Sequence, residues 1–251
     1  MKKRTRVLSM TVILVWATAA NQAAAEVLRG SKGLGITETG LVPIYPDDRE
    51  CSPLTSFYAS WIDVDGSRRT ERHSGVDGGR LGDKIFAPAS GTVKSVWKAN
   101  WGWGEEGAIL IKHTREDLGL QSGPKYYYSE FDHLNYEEIR SLAAGDKVRR
   151  GDILAIVSTP GGRPQYLPEV HWEVWEIDND NATKWSVNRH EGRFWKNSTG
   201  RLIDPLYMLS RESTPDKSGR FSIPIFDKRK DYNGFRGFTY ILPCVERRAP
   251  R

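Results

Sequence analysis

Apolar and polar side chains alternate in short runs between about residues 52 and 209, and Gly, Pro, Asn or Asp bounds most of these runs. A period of two is typical of β-strands with one buried face. The pattern predicts strands at 92–97, 108–112, 125–128, 153–157 and 170–175. One short helix is predicted over 136–144, with Asn135 as its N-cap and with Ile139 and Leu142 facing inward.

Two segments repeat the same local pattern. Residues 82–93 and 145–157 each begin with Gly-Asp-Lys and an apolar residue, and each continues into the start of a strand. Two such β-units can fold over each other and share one core. The sequence therefore predicts a mainly β fold, a two-sheet sandwich with one short helix and loop insertions.

The first 25 residues have the pattern of a secretory signal. Basic residues at 2–6 precede an apolar run at 7–20, and three alanines at 23–25 place a cleavage site before Glu26. The apolar run is shorter than the roughly 20 residues that a membrane span needs. A retained anchor is the alternative interpretation, and no other segment is predicted to span a membrane.

Removal of this signal changes the charge balance. The chain has 37 Lys and Arg residues and 32 Asp and Glu residues, and four of the basic residues lie in the signal. The mature chain is therefore almost neutral, which argues against a nucleic-acid partner.

The mature chain divides into three predicted regions. Residues 26–51 form an N-terminal arm, 52–209 the main domain, and 210–251 a basic extension. The extension holds ten basic and five acidic residues, which we interpret as a solvated face rather than a binding patch. Its alternating segment at 238–242 is predicted to be a strand that docks on the domain.

The two cysteines, Cys51 and Cys244, lie near the two ends of the mature chain. Two thiols are too few for a thiolate zinc finger. An exported chain meets an oxidising compartment, where a disulfide between them is expected. Two unpaired thiols are the alternative.

The candidate chemistry lies in two segments. His73 and Asp77 are four residues apart, and a strand over 169–175 would place Glu169, His171 and Glu173 on one face, opposite an apolar face. Two imidazoles and one carboxylate suit a catalytic zinc ion, which keeps a fourth position for water. The spacing of His73 and Asp77 alone is common by chance.

Peptide hydrolysis at such a metal also needs a general base and a group that stabilises the oxyanion. His133 and Glu169 are the candidates for these two tasks.

Seven segments, in order, together resemble the LytM/lysostaphin-type zinc metalloendopeptidases, metallopeptidase family twenty-three, which have the duplicated hybrid motif fold. The segments are 73–77, 82–93, 109–113, 131–134, 145–154, 169–173 and 204–206. The resemblance covers about residues 52–209. It implies an enzyme that cuts peptide cross-links in bacterial cell walls.

The resemblance also implies roles for individual residues. His73, Asp77 and His171 match the zinc ligands, with one Zn²⁺ per chain, and His133 matches a catalytic histidine. Glu169 stands where the family has the first His of an H-x-H motif. It is expected either to serve as the base, to bind zinc as a fourth ligand, or to leave the enzyme slow or inactive.

Two functions follow from this pattern. The first is an exported zinc endopeptidase, periplasmic or secreted, that acts on peptidoglycan peptides and has no membrane contact after signal cleavage. The second is an inactive domain of the same fold that regulates a separate wall hydrolase, a protein partner in cell-wall remodelling. The polar segment 178–201, with Trp185 and Trp195, is predicted to be an inserted loop at the cleft rim, which either grips substrate or forms a solvated hairpin.

Overall fold

The computed structural model describes residues 36–101, 104–188 and 192–247. The predicted signal, residues 1–25, lies outside the described residues, as does the part of the predicted arm before residue 36. No helix within the described ranges is both long and apolar enough to cross a bilayer.

The described residues form a mainly β fold, as predicted. The strands are β1 Val42–Ile44, β2 Arg49–Cys51, β3 Leu54–Ser56, β4 Val76–Gly78, β5 Lys84–Phe86, β6 Gly91–Ala99, β7 Glu106–Thr114, β8 Tyr126–Leu134, β9 Lys147–Val148, β10 Ile153–Ile156, β11 Val170–Ile177, β12 Thr183–Asn188, β13 Gly192–Asn197, β14 Gly200–Ile203, β15 Arg220–Ser222 and β16 Cys244–Glu246. The helices are α1 Tyr136–Ile139 and α2 Pro205–Leu209, with 3₁₀ turns at Pro160–Gly162 and Asp180–Ala182.

One large sheet organises the molecule. Its strands follow the order β12-β13-β6-β7-β8-β11-β4-β3, while β14 adds to β11 and β9 adds to β6. Both faces of this sheet carry buried apolar side chains. On β11, Val170, Trp172 and Val174 enter the larger core, as the alternation predicts, whereas Trp175 and Ile177 enter a second cluster.

The internal repeat shapes the larger core. Val157 donates its backbone N–H to Asp83 and accepts one from Gly82, and Val93 makes the equivalent pair of hydrogen bonds with Asp146 and Gly145. Strands β5 and β10 pair antiparallel, and their apolar residues join the same core as the inner face of the large sheet. The two units thus fold over each other, in agreement with the prediction from their shared pattern.

The helices differ from the prediction in extent and number. Asn135 caps α1 by accepting a hydrogen bond from the N–H of Glu137, but the helix ends at Ile139 instead of continuing to residue 144. A second helix, α2, begins after Asp204, whose side chain accepts a hydrogen bond from the N–H of Leu206. Pro at the first helical position favours this start because the helix needs no N–H there.

The C-terminal extension packs against the main domain, but the prediction of a strand over 238–242 is wrong. Phe238, Tyr240, Ile241 and Leu242 are buried in the larger core. The backbone groups of residues 238–241 pair with several separate segments instead of with one neighbouring strand. The N–H of Phe238 donates to Met208 in α2, and the N–H of Thr239 donates to Pro88.

A disulfide joins Cys51 to Cys244 at the β2–β16 pair, across 193 residues of sequence. The loop-entropy estimate for a loop of this length is about 5 kcal/mol of stabilisation.

His113 also belongs to this packing. Its ring is fully buried, with Nδ1 2.7 Å from the Ser90 carbonyl oxygen, Nε2 3.1 Å from Ser129 Oγ, and the Phe238 ring centroid 5.0 Å away. A neutral imidazole satisfies both contacts, since Nδ1–H donates to the carbonyl and Nε2 accepts from the hydroxyl. Burial lowers the pKa of His113 from 6.5 to about 4.

This shift predicts a loss of stability in acid. The unfolded chain protonates His113 below pH 6.5 but the folded chain only below about 4, so the free energy of unfolding falls as pH drops through this window, by roughly 3 kcal/mol. Urea denaturation at several pH values gives the free energy of unfolding at each pH. Between pH 6.5 and 4 this free energy should change less with pH in His113→Gln than in the wild type. Equal slopes would contradict the assignment.

Candidate active site

The sheet brings the three predicted metal ligands together. Asp77 on β4 lies directly opposite His171 on β11, and His73 precedes β4 in a loop. His171 Nδ1 is 2.7 Å and His73 Nε2 3.0 Å from Asp77 Oδ1, and the two ring nitrogens are 3.0 Å apart. All three side chains are buried.

Glycine allows the His73 loop to approach β11 so closely. A Cβ on Gly75 would lie 2.3 Å from the carbonyl oxygen of Trp172. Any side chain there would push the loop from the strand, and His73 with it. The spacing His73-Ser-Gly-Val-Asp77 therefore forms a metal-binding geometry only with a residue at position 75 that has no side chain.

The donor set fits a divalent metal ion. One candidate ligand atom from each of His73, Asp77 and His171 lies within 4.8 Å of the others. Two imidazoles and a carboxylate are the ligands of a catalytic zinc site that leaves one position open.

The charges favour a cation at this point. Burial alone would lower the pKa of His171, but hydrogen bonds with Asp77 and Glu173 raise it to about 10. Burial alone would raise the pKa of Asp77, but the charges of His73 and His171 hold that pKa well below its usual range.

Further side chains orient these three. Arg69 Nη2 donates to Asp77 Oδ2 at 2.7 Å and to Asp63 Oδ1 at 2.8 Å. Glu173 Oε1 is 3.2 Å from His171 Nε2, the ring nitrogen that points away from the cluster. Such partners fix the orientation of metal ligands. The alternation of β11 predicts that Glu173 shares a face with His171, but no sequence signal separates Arg69 from Arg68 and Arg72.

The two predicted catalytic residues lie beside this cluster. The ring centroid of His133, at the end of β8, is 6.1 Å from that of His171, and its Nε2 is 4.0 Å from Glu169 Oε1. Glu169 precedes β11, and its N–H donates to the carbonyl of Ser158. Burial and the charge of Asp77 raise the pKa of Glu169 to about 7, although His133 and His171 act in the opposite direction.

Glu106 is a neighbour that the sequence reasoning missed. Its Oε2 lies 3.0 Å from His133 Nδ1, and its side chain is buried. The only signal was the strand alternation, which puts residue 106 on the same face of β7 as the buried Ala108 and Leu110.

The inserted segment is a hairpin of β12 and β13 that packs on the same face of the sheet. The Trp195 ring centroid is 5.1 Å from that of Trp175, and its Nε1 donates to Glu130 Oε2 at 2.9 Å. Trp185 packs edge-on against Trp97 at 5.1 Å. Trp195 is only 6% exposed, so its ring packs within the protein and is not available to grip a substrate.

The fold and the site together define a class of protein, namely a mainly β domain with a buried His-Asp-His cluster at its large sheet. Residues 71–185 match the model of peptidase family M23, and this range includes His73, Asp77, His133, Glu169 and His171. The match confirms the resemblance seen in the motifs.

Solved structures similar to this chain include a zinc-containing peptidase from Vibrio cholerae, with 23% identity over 52% of this chain and 35% of that one and a TM-score of 0.35. The catalytic domain of the prophage-encoded protein EnpA from Enterococcus faecalis has 22% identity, coverage of 53% and 85%, and a TM-score of 0.33. That of lysostaphin from Staphylococcus simulans has 19% identity, coverage of 64% and 92%, and a TM-score of 0.33. This chain thus spans about a third of the Vibrio cholerae peptidase. No curated protein sequence matches it.

Two aspartates that share Arg69 give a matched test of the metal cluster. Asp77→Asn removes the carboxylate between the two imidazoles, and zinc affinity should fall by at least about tenfold. Asp63→Asn removes the other carboxylate bound to Arg69, and affinity should stay within about twofold of the wild type. Competition with a chromophoric chelator measures both, and equal losses in the two variants would contradict the assignment.

Proposed function

We propose that this chain is an exported zinc-dependent endopeptidase that hydrolyses peptide bonds in peptidoglycan. The observation that carries the proposal is that His73, in the loop before β4, meets Asp77 of β4 and His171 of β11, with His133 and Glu169 beside them. The match of residues 71–185 to the model of peptidase family M23 supports hydrolysis of peptides. The resemblance of the motifs to LytM and lysostaphin supports the bacterial wall as the substrate.

His73, Asp77 and His171 are the residues that would hold one zinc ion. The bound ion would supply Lewis acidity, which lowers the pKa of water and polarises a carbonyl group. Arg69 fixes the carboxylate of Asp77, and Glu173 fixes the imidazole of His171. These side chains therefore need little ordering when the metal binds.

Glu169 is the proposed general base. Its carboxylate accepts a proton from the attacking water and returns it to the leaving amine, as the glutamate of other zinc peptidases does. A pKa raised to about 7 suits this role because the group is then both ionised and basic near neutral pH. An ionised carboxylate repels an oxyanion, so stabilisation of the oxyanion falls to the Nε2–H of His133.

Two features support export. The sequence of residues 1–25 has the three parts of a secretory signal, with cleavage before Glu26. The Cys51–Cys244 disulfide suits an oxidising compartment such as the periplasm or the cell exterior.

The proposal is tested on residues 26–251 loaded with zinc and incubated with purified sacculi. We expect new muropeptides that a chelator or His171→Ala abolishes, and their masses identify the bond cut. Protein with one zinc ion bound that releases no fragment from any of several wall types would overturn the proposal.

Substitutions at residue 169 test its assigned role. Glu169→Gln keeps the shape but not the base, so kcat on a cross-linked muropeptide should fall by at least about 100-fold. Zinc content should stay at one per chain. Glu138→Gln, on the exposed side of α1, is the control and should match the wild type.

Two other results would assign Glu169 differently. Loss of zinc in Glu169→Gln would make this residue a ligand. A zinc-loaded wild type that is inactive, together with an active Glu169→His, would identify Glu169 as the lesion of a regulatory domain.

A further inference from the structure

Arg163 presents an unpaired guanidinium group beside the candidate active site. It lies in the loop between β10 and β11, directly after the 3₁₀ turn Pro160–Gly162, and it is exposed. Within the part of the chain that the structure describes, its side chain forms no hydrogen bond or ion pair. A guanidinium group in this state keeps all its donors available for an anion.

Both ends of this loop lie at the two residues that carry the proposed chemistry. The N–H of Glu169, at the end of the loop, donates to the carbonyl of Ser158, at its start, at 3.2 Å. Ser158 Oγ donates to the carbonyl of His133 at 3.4 Å. The loop therefore leaves and returns to the fold beside His133 and Glu169.

Glycine lets the guanidinium group lie against the backbone on the His133 side of the site. A Cβ on Gly104 would lie 3.7 Å from Arg163 Nη2, 3.8 Å from its Nε and 3.7 Å from Gly161 Cα. The φ angles of Gly104 and Gly161 are +128° and +60°, which residues with side chains seldom adopt. Gly104 is two residues before Glu106, whose Oε2 is 3.0 Å from His133 Nδ1. The guanidinium group thus lies at the rim of the site.

Three arginines in the loop before β4 are already engaged. Arg69 donates to two carboxylates, and Arg72 Nη1 donates to the carbonyl of Ala59 at 3.3 Å. The guanidinium group of Arg68 lies over the Trp61 ring, 5.7 Å from its centroid. The capacity to bind a further anion therefore lies in the other loop, the one that leads into β11.

The charges of the site give a cation at this rim a clear effect. Buried carboxylates surround the candidate metal cluster, among them Glu106 and Glu169, and they repel an acidic group of an incoming peptide. Glu105 pairs with Lys98 at 2.7 Å instead of with Arg163. A peptide carboxylate that reaches the rim meets a free guanidinium group, whose planar donors match its two oxygens.

We propose that Arg163 binds a free carboxylate of the peptide substrate and so selects cross-links that carry one near the scissile bond. The inference rests on the proposed function, because it names a property of the peptide that the endopeptidase cleaves. A bridge of glycine residues has no side-chain carboxylate, whereas a stem peptide with an unamidated dicarboxylic residue has one. Arg163 acts on substrate binding and takes no part in bond cleavage.

The test uses a cross-linked muropeptide with free carboxylates and the same compound with these carboxylates converted to amides. We expect the zinc-loaded wild type to cleave the free acid with a kcat/KM at least about tenfold higher, mainly through a lower KM. In Arg163→Gln the value for the free acid should fall to that for the amide. The value for the amide should stay within about twofold of the wild type.

Arg149→Gln is the matched control, because Arg149 is also an exposed arginine but lies at the other end of the large sheet. It follows Val148, which pairs with Gly91 at the start of β6, whereas Glu106 pairs with Ala99 at the end of that strand. This variant should keep the preference of the wild type for the free acid.

An equal kcat/KM of the wild type for the two muropeptides would overturn the proposal, and so would a preference that persists in Arg163→Gln. If the wild type cleaves neither compound, the proposed function fails, but titration calorimetry with the zinc-loaded chain still decides the role of Arg163. The free acid should then bind at least about tenfold more tightly than the amide. Equal or undetectable binding of the two would refute the assignment.

Discussion

The antiparallel pairing of β4 with β11 is the constraint on which the candidate site depends. It sets Asp77 directly opposite His171, although 94 residues separate them in sequence. The pairing requires Gly75, because a side chain there would collide with the backbone of β11. Trp172 stabilises this pairing from the opposite face of β11 to His171, where its side chain is fully buried in the larger core. Packing of the apolar face thus fixes the spacing of the polar face.

Buried charge is the second organising feature. The site places two carboxylates, Asp77 and Glu169, and three imidazoles in a region almost closed to water. Isolated buried charges of this kind would destabilise the fold, so each needs partners. Arg69 supplies a cation to Asp77, and Glu173 and Glu106 supply carboxylates to His171 and His133. These partners compensate the charges and also orient the groups, so the same contacts serve stability and the proposed chemistry.

Much of the fold could be predicted from local pattern. In strands with regular alternation, such as β11, the apolar positions indicate which face is buried. The Gly-Asp-Lys repeat identifies two units, and each donates hydrogen bonds to the other. The early end of α1 and the irregular course of 238–242 could not be predicted in this way, because both depend on tertiary packing that overrides local propensity. In the extension, apolar alternation reflects burial in loops rather than strand pairing.

The site divides in the same way. His73, Asp77 and His171 could be selected because two imidazoles and a carboxylate suit a metal ion and because their motifs resemble those of a zinc peptidase family, and the structure brings them together. Arg69 and Glu106 could not be singled out from other charged residues, since their importance depends on long-range contacts with Asp77 and His133.

The most direct test of the account is anomalous diffraction at the zinc edge from crystals of the zinc-loaded chain. The account predicts one zinc ion bound by His73, Asp77 and His171, with Glu169 outside the coordination sphere. A zinc ion ligated by Glu169, or bound away from this cluster, would contradict it.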